Sequence, residues 1–368
     1  MVELADIFRQ YGPAYREQFG ERMPASHRKA MADIEACRTE ALGGHVYGCL
    51  SCNEVLYCYH SCRNRHCPKC QHEATQAWLA QQRGFLLPVP YVLVTFTLPA
   101  GLRNVARSHQ TLVYNLLFRT SAEALQQLAL DPRFVGGQIG LVGVLQTWTR
   151  DLQYHPHVHY LVPGGGLAPD GQTWRRAKNH FLVHVKPLAR LFRAKFRDAL
   201  RKTDLYAQVP AATWRQDWVV DCRPVGSGET ALKYLAPYVF RVALSNNRIR
   251  KLENDQVTFT YKEGDTGKPK RCTVPVQEFM RRFLQHVLPK GFVKIRYYGL
   301  LSPGNRLRLH QARHLLVTLA DTAPPQSSAG ESLPGVALTT TREVSCPKCG
   351  QRMQPVQTLP RRSRCPPA

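Results

Sequence analysis

The chain has 368 residues, 50 lysines and arginines against 26 aspartates and glutamates, and a formal charge of +24. That length allows two domains with real cores, and no apolar run approaches the ~20 residues of a membrane span, which excludes a spanning helix from the reading. The basic excess favours a polyanionic partner through neutralised phosphates and released counterions, although a ribosomal protein or a binder of anionic membranes would be equally basic.

The first residues, Met1 to Phe8, carry two acids and no basic stretch before an apolar run, so no signal peptide is expected. Twelve cysteines without secretion argue for metal binding or free thiols in a cytoplasmic protein. Residues 1–36 read as two amphipathic helices, with Leu4, Ile7 and Phe8 opening the first and Arg28 to Ala36 the second.

Residues 37–88 read as a zinc module. Cys49-Leu50-Ser51-Cys52 and Cys67-Pro68-Lys69-Cys70 are two knuckles separated by fourteen residues, and four such thiolates complete one tetrahedral zinc site. Cys37, His45, Cys62 and His66 remain as candidates for a second zinc, with buried thiols as the competing reading. Arg63, Arg65 and Lys69 around the knuckles suit a phosphate-facing platform.

A helix from Trp78 to Leu86 ends at Pro88, and Tyr91 to Pro99 starts the next domain, 89–305, as a buried strand. One long amphipathic helix is expected over Val105 to Leu130, then a strand over Gly140 to Thr149. A short turn through Asp151-Leu152-Gln153 should fold the following stretch, Tyr154 to Val162, antiparallel onto that strand. In this stretch His155, His157 and His159 share one face, because side chains alternate with period two. Two imidazoles on adjacent same-face positions can hold one divalent metal, and a polar strand with solvated histidines is the plainer alternative.

Further on come a basic helix over 186–202, a strand over 217–222, and a helix containing Tyr234 and Tyr238. Ser227 suits the N-cap of that helix, and the four-residue spacing stacks the two tyrosines on one face. Tyrosine can serve as a covalent nucleophile beside a metal, although aromatics at helical spacing are more often core. Pro237 should kink the helix. A hairpin turning at Asn254-Asp255, a helix over 275–288 and a strand over 293–298 complete the domain, and Tyr297 and Tyr298 on that strand are weaker nucleophile candidates. The irregular alternation predicts an α+β domain with an antiparallel sheet. Residues 306–368 read as a basic segment and flexible tail, with Cys346-Pro347-Lys348-Cys349 a lone knuckle whose sole candidate partner there is Cys365.

The cysteine-rich run from Cys37 to Cys70, the His155 to Gly166 block and the Tyr234 to Asn247 block occur in the order of a known family. The chain resembles the bacterial rolling-circle insertion-sequence transposases (the insertion-sequence-ninety-one family), within the HUH endonucleases. The resemblance implies a central antiparallel sheet flanked by helices and a nuclease that cuts single-stranded DNA. It puts Tyr234 and Tyr238 as nucleophiles and His157 and His159 on a catalytic Mg²⁺ or Mn²⁺. It also implies a third polar ligand, for which Gln146 is the choice and Asp151 and His155 are competitors. Lys233 and Arg241 would favour phenolate. The expected partners are single-stranded DNA at transposon ends and target DNA at the bacterial nucleoid. A replication initiator or relaxase would share the chemistry, and a non-catalytic zinc-containing nucleic-acid-binding protein would bind without forming an adduct.

Overall fold

The computed structural model describes residues 2–178, 181–240, 243–264, 266–321 and 343–362, and for 71–76, 234–238, 240 and 319–321 the backbone alone. In chain order its elements are α1 (Leu4–Phe19), α2 (Ala25–Ala36), β1 (Gly44–Gly48), β2 (Val55–Tyr59), α3 (Gln71–Arg83), β3 (Pro90–Thr97), α4 (Arg103–Ser108) and α5 (Gln110–Leu130). There follow β4 (Gly140–Trp148), β5 (Tyr154–Pro163), β6 (Gly165–Leu167), β7 (Trp174–Arg176), α6 (Val185–Leu200), β8 (Val220–Ser227) and α7 (Gly228–Phe240). The last are β9 (Ile249–Glu253), β10 (Gln256–Lys262), β11 (Pro269–Pro275), α8 (Val276–Leu284), β12 (Ile295–Gly299), α9 (Arg306–Asp321) and β13 (Gln354–Leu359).

Two compact units result. One draws on Met1–Cys70 and Pro324–Ala368, the other on Gln71–Ala323. In the first, α1 and α2 bury Leu4, Ile7, Phe8, Met31 and Ile34 against one another. Arg9 ties the helices by donating to the Glu35 carbonyl at 2.9 Å, and Arg16 pairs with the Glu35 carboxylate at 2.8 Å. Strands β13, β1 and β2 form an antiparallel sheet with β1 in the middle.

This changes the expected domain limits. The first unit ends at Cys70 rather than near residue 88, and α3 belongs to the second. Residues 343–362 are not a detached tail: β13 supplies a strand to β1, with Gly44 opposite Leu359. Local composition misses such a contact because it is made across the whole chain. Residues 322–342 and Cys365 lie outside the described residues.

The second unit is built on a five-stranded sheet in the order β12-β4-β5-β3-β8, antiparallel throughout. Helices cover both faces, which is why β4 is buried along its whole length. On one face Phe96, Val158 and Tyr160 pack with Phe118 of α5 and Phe192 and Phe196 of α6. On the other, Leu93, Val142, Val144 and Leu161 pack under Ala231, Leu232 and Val239 of α7, with Trp78 of α3 and Leu309, Ala312 and Leu316 of α9.

Gly143 is required by this packing. It lies opposite Tyr160, and a Cβ there would come within 2.5 Å of the tyrosine ring. A separate antiparallel sheet, β11-β10-β9, turns at Asn254 and Asp255, whose φ angles of 51° and 57° suit a tight primed hairpin turn. The single helix expected over 105–130 is instead two, because His109 leaves the helical region at φ −127° and ψ 49°.

Candidate active site and cysteine clusters

The histidine strand β5 is central in its sheet, with β4 on one side and β3 on the other. Gln146 lies directly opposite His157, and Val144 opposite His159. On the β3 side Thr97 faces His157 and Thr95 faces His159. Directly paired residues of antiparallel strands point to the same face, so Gln146, His157 and His159 share one side of the sheet.

Between His157 and Tyr154, β5 carries one residue more than β4 does between Gln146 and Trp148. Pro156 occupies this bulge, where its missing N–H interrupts no ladder, and its carbonyl still accepts from the Leu98 N–H at 3.0 Å.

Local hydrogen bonds orient the rings. His157 Nδ1–H donates to the His155 carbonyl at 2.6 Å, which leaves Nε2 as its outward nitrogen. His159 Nδ1 lies 2.9 Å from Thr95 Oγ1, and the two rings are 4.8 Å apart between centroids. Burial pulls the His157 pKa down to about 4, with the His155 charge a lesser cause. Burial, then the His157 and Arg223 charges, pulls His159 well below its ordinary value. Both are therefore neutral imidazoles with lone pairs available near neutral pH.

The buried Gln146 side-chain nitrogen has no hydrogen-bond partner among the described residues. Since amide oxygen and nitrogen are exchanged by a simple flip, the same position can present an oxygen to a cation. The two competitors for third ligand are already engaged. His155 Nδ1 accepts from Arg103 at 3.1 Å, and the Asp151 carboxylate accepts from the Thr149 hydroxyl. A donor set of two neutral imidazoles and an amide suits a divalent ion that keeps its charge for a phosphate.

Helix α7 lies on this same face. Its first residue, Gly228, sits against Tyr91 and Leu86 at one end of β3. Near its other end the Val239 carbonyl accepts from Lys294 at 3.0 Å, and the Lys294 carbonyl accepts from the N–H of Leu145, the neighbour of Gln146. The helix thus advances toward the histidine end of the sheet. It runs without interruption through Pro237. Ala231, Leu232 and Val239 form its buried stripe, and by the 3.6-residue period positions 234 and 238 fall together on one flank of it. The side chains of Tyr234 and Tyr238, and Arg241 altogether, lie outside the described residues.

The remaining candidates are dispersed. Lys233 is exposed and pairs with Glu229 at 3.4 Å, and Lys69 pairs with Glu3 at 2.5 Å. Arg63 takes a left-handed φ of 53°. Tyr297 and Tyr298 point to opposite faces, Tyr297 toward the α7 side and Tyr298 toward the α5 side. Arg223 and Thr95, which sequence reasoning missed, are placed beside His159 by the pairing of β8 and β3, and no local motif marks them.

The cysteines form two clusters, Cys37 with Cys62, Cys67 and Cys70, and Cys49 with Cys52, Cys346 and Cys349. In each, the four sulfurs lie within 4.8 Å of one another. In the first, the Cys37–Cys70 and Cys62–Cys70 sulfurs are 3.5 and 3.6 Å apart. A tetrahedral ion with ~2.3 Å bonds would set them about 3.8 Å apart. The Cys62 and Asn64 backbone N–H groups donate to the Cys37 and Cys62 sulfurs, as thiolates require.

The expected quartet of Cys49, Cys52, Cys67 and Cys70 is therefore split between two clusters, and the expected second set is not assembled. His45 sits on β1 with Nδ1 3.4 Å from the Thr358 hydroxyl, and the His66 N–H donates to the Asn64 side chain. Among the described residues neither histidine belongs to a cluster of potential metal ligands. The first knuckle lies in the turn between β1 and β2 and the second follows β2, while Cys37, just past the end of α2, joins the second of them.

A family described as "Transposase zinc-binding domain" matches residues 7–98, and one described as "Putative transposase" matches residues 140–308. The chain is 42% identical to "Putative transposase y4qJ" of Sinorhizobium fredii, over 95% of this chain and 93% of the relative. It is 30% identical to the transposase for insertion sequence element IS801 of Pseudomonas savastanoi pv. phaseolicola, over 73% of this chain and 68% of the relative. No solved structure matches the chain. Both descriptions are of transposases, and they fall on a zinc-binding domain followed by a helix-flanked antiparallel sheet. Within that class, the chain belongs to the IS91 family of insertion-sequence transposases, of the IS801 type. The zinc-binding domain and the cysteine clusters together support structural zinc.

Proposed function

We propose that this transposase nicks and rejoins single-stranded DNA at element ends through a 5′-phosphotyrosine, supporting rolling-circle transposition at the bacterial nucleoid. The observation that carries the reading is the register of β4 on β5. It sets Gln146 beside His157 and His159 on the face along which α7 carries positions 234 and 238 toward the histidines.

His157, His159 and Gln146 are the residues that would hold Mg²⁺ or Mn²⁺. When bound, such an ion supplies Lewis-acid polarisation of a non-bridging oxygen of the scissile phosphate. Tyr234 or Tyr238 acts as nucleophile. Its oxygen loses a proton and bonds to phosphorus, while the 3′-oxygen leaves with the bonding pair and is protonated. The DNA 5′ end stays joined to the tyrosine, so the phosphodiester energy is conserved and no nucleotide triphosphate is consumed. A phenol has an unperturbed pKa of ~10, so the cationic side chains of Lys233 and Arg241 would favour the phenolate. Arg63, Arg65 and Lys69 serve phosphate contacts in the zinc-bearing unit.

The test is incubation of the full chain with single-stranded element ends and Mn²⁺, followed by a search for a denaturation-resistant adduct. Tyr234→Phe should impair adduct formation on a single cut, and Tyr238→Phe should impair complete transposition at least as much. Adducts undiminished in the double variant, or label mapped to Tyr297 or Tyr298, would overturn the reading.

A further inference from the structure

The C-terminal knuckle, Cys346 and Cys349, lies outside residues 7–98, which the zinc-binding family covers. We infer that it completes a second structural zinc site with Cys49 and Cys52, so that the end of the chain is an integral part of the N-terminal metal domain.

The argument rests on the backbone as much as on the sulfurs. In the first knuckle the Cys49 N–H donates to the Glu54 carbonyl at 2.9 Å, and the Asn53 N–H donates back to the Cys49 carbonyl at 3.0 Å. In the second the Cys346 N–H donates to the Gln351 carbonyl at 2.8 Å, and the Gly350 N–H donates back to the Cys346 carbonyl at 2.9 Å. Offsets of five and four residues are the same in both. So is the left-handed residue at the fourth position after the first cysteine, Asn53 at φ 54° and Gly350 at φ 76°. Two turns 300 residues apart have the same hydrogen-bond closure, and they face each other with Cys49–Cys349 and Cys52–Cys346 sulfurs both 3.5 Å apart.

Packing alone does not account for this meeting. Among the described residues the hydrophobic cluster around it holds only Cys49, Cys346 and Met353, flanked by Tyr47, Cys52, Leu56 and Val344. Strand β13 is exposed along nearly its whole length, with Val356 among the exposed large apolar residues. So little apolar burial does not fix the ends of such a long loop, whereas four thiols that lose their protons to solvent as their sulfurs bind one zinc ion gain a binding free energy that becomes folding free energy. Two opposed knuckles of this kind match the closed four-cysteine structural type, with no position left open for a substrate.

Metal content of the purified full chain after dialysis tests this. Wild-type protein should carry two zinc ions per chain. The Cys346→Ser, Cys349→Ser variant should carry one, and so should Cys67→Ser, Cys70→Ser. A tail variant that keeps two ions, or a wild-type chain with one ion that the tail variant keeps, overturns the proposal. If the tail variant holds no metal because it fails to fold, Cys349→His decides the matter after cobalt substitution. It should keep two ions and shift the thiolate-to-cobalt band of one site from four-sulfur to three-sulfur, one-nitrogen character. An unshifted spectrum overturns the proposal. None of these readouts depends on DNA cleavage.

Discussion

At His157 the backbone decides which nitrogen is left for a ligand, because Nδ1 is committed to the His155 carbonyl two residues away. His159 is oriented differently, by the Thr95 hydroxyl on the neighbouring strand. Outer partners of this sort hold a ring and set its basicity. If these histidines hold the proposed Mn²⁺, Thr95→Val should weaken its binding by about 10–100-fold with the fold intact, as read from the metal dependence of adduct formation. His157→Ala should lower cleavage by at least about 10²-fold while DNA affinity, measured by filter binding, changes little, since only the transition state needs the charge stabilisation. Equal loss of both would make the histidines structural. Another buried histidine, His286, bonds to Thr147 and the Leu152 carbonyl, and burial lowers its pKa to about 3. Its unfolded-state pKa is the ordinary ~6.5, so the unfolded chain takes up the proton first as pH falls. Its contribution to stability is complete above that value and is lost as pH drops toward 3. His286→Gln should flatten the fall of the urea midpoint over this window by about one proton's worth, roughly 1.4 kcal/mol per pH unit.

Among the elements, β4 and β5 are the pair on which the site depends. Gly143 admits the Tyr160 ring, whose hydroxyl donates to the Phe118 carbonyl at 2.9 Å. Gly143→Ala should overpack that contact and cost about 1–3 kcal/mol, visible as a lower melting temperature, with cleavage per folded molecule largely retained. A melting temperature equal to wild type would mean that the ring moves aside freely. The bulge at Pro156 matters in another way. By absorbing one residue, it lets Tyr154 return to register with Trp148 beyond the histidines. Helix α7 contributes through direction, since starting at Gly228 beside Tyr91 carries it along β3 toward Thr97 and the histidines.

For the molecule as a whole, charge and metal dominate. No helix among the described residues is long and apolar enough to cross a membrane. Arg250 and Lys262 line a basic groove of about 420 Å³ on the β9-β10-β11 sheet, beside Arg150 and Arg248. If that groove holds a single strand, affinity should fall linearly with the logarithm of salt concentration, and Arg250→Ala with Lys262→Ala should reduce the slope by roughly 0.7 per lost phosphate contact. An unchanged slope would place the DNA elsewhere.

The sequence by itself determined the class of protein through its resemblance to a family, and it determined the strand carrying the histidines and the face they share because alternation along a strand is a local property. It also placed Gln146 on the neighbouring strand, since a three-residue turn leaves few ways to fold back. The Asn254-Asp255 turn was equally legible, from residues that tolerate left-handed backbone. Only the tertiary structure decided how the cysteines divide. Knuckle spacing shows that two thiols turn toward one ion, but not which other two meet them, and the nearest pair in sequence was the wrong partner. The same holds for the chain's end. Its glycine, proline and serine content reads as a tail, whereas β13 is held by a ladder to β1 and by thiols opposite Cys49 and Cys52. Contacts that span some 300 residues leave no periodic trace in the local sequence, so their partners appear only once the chain is folded.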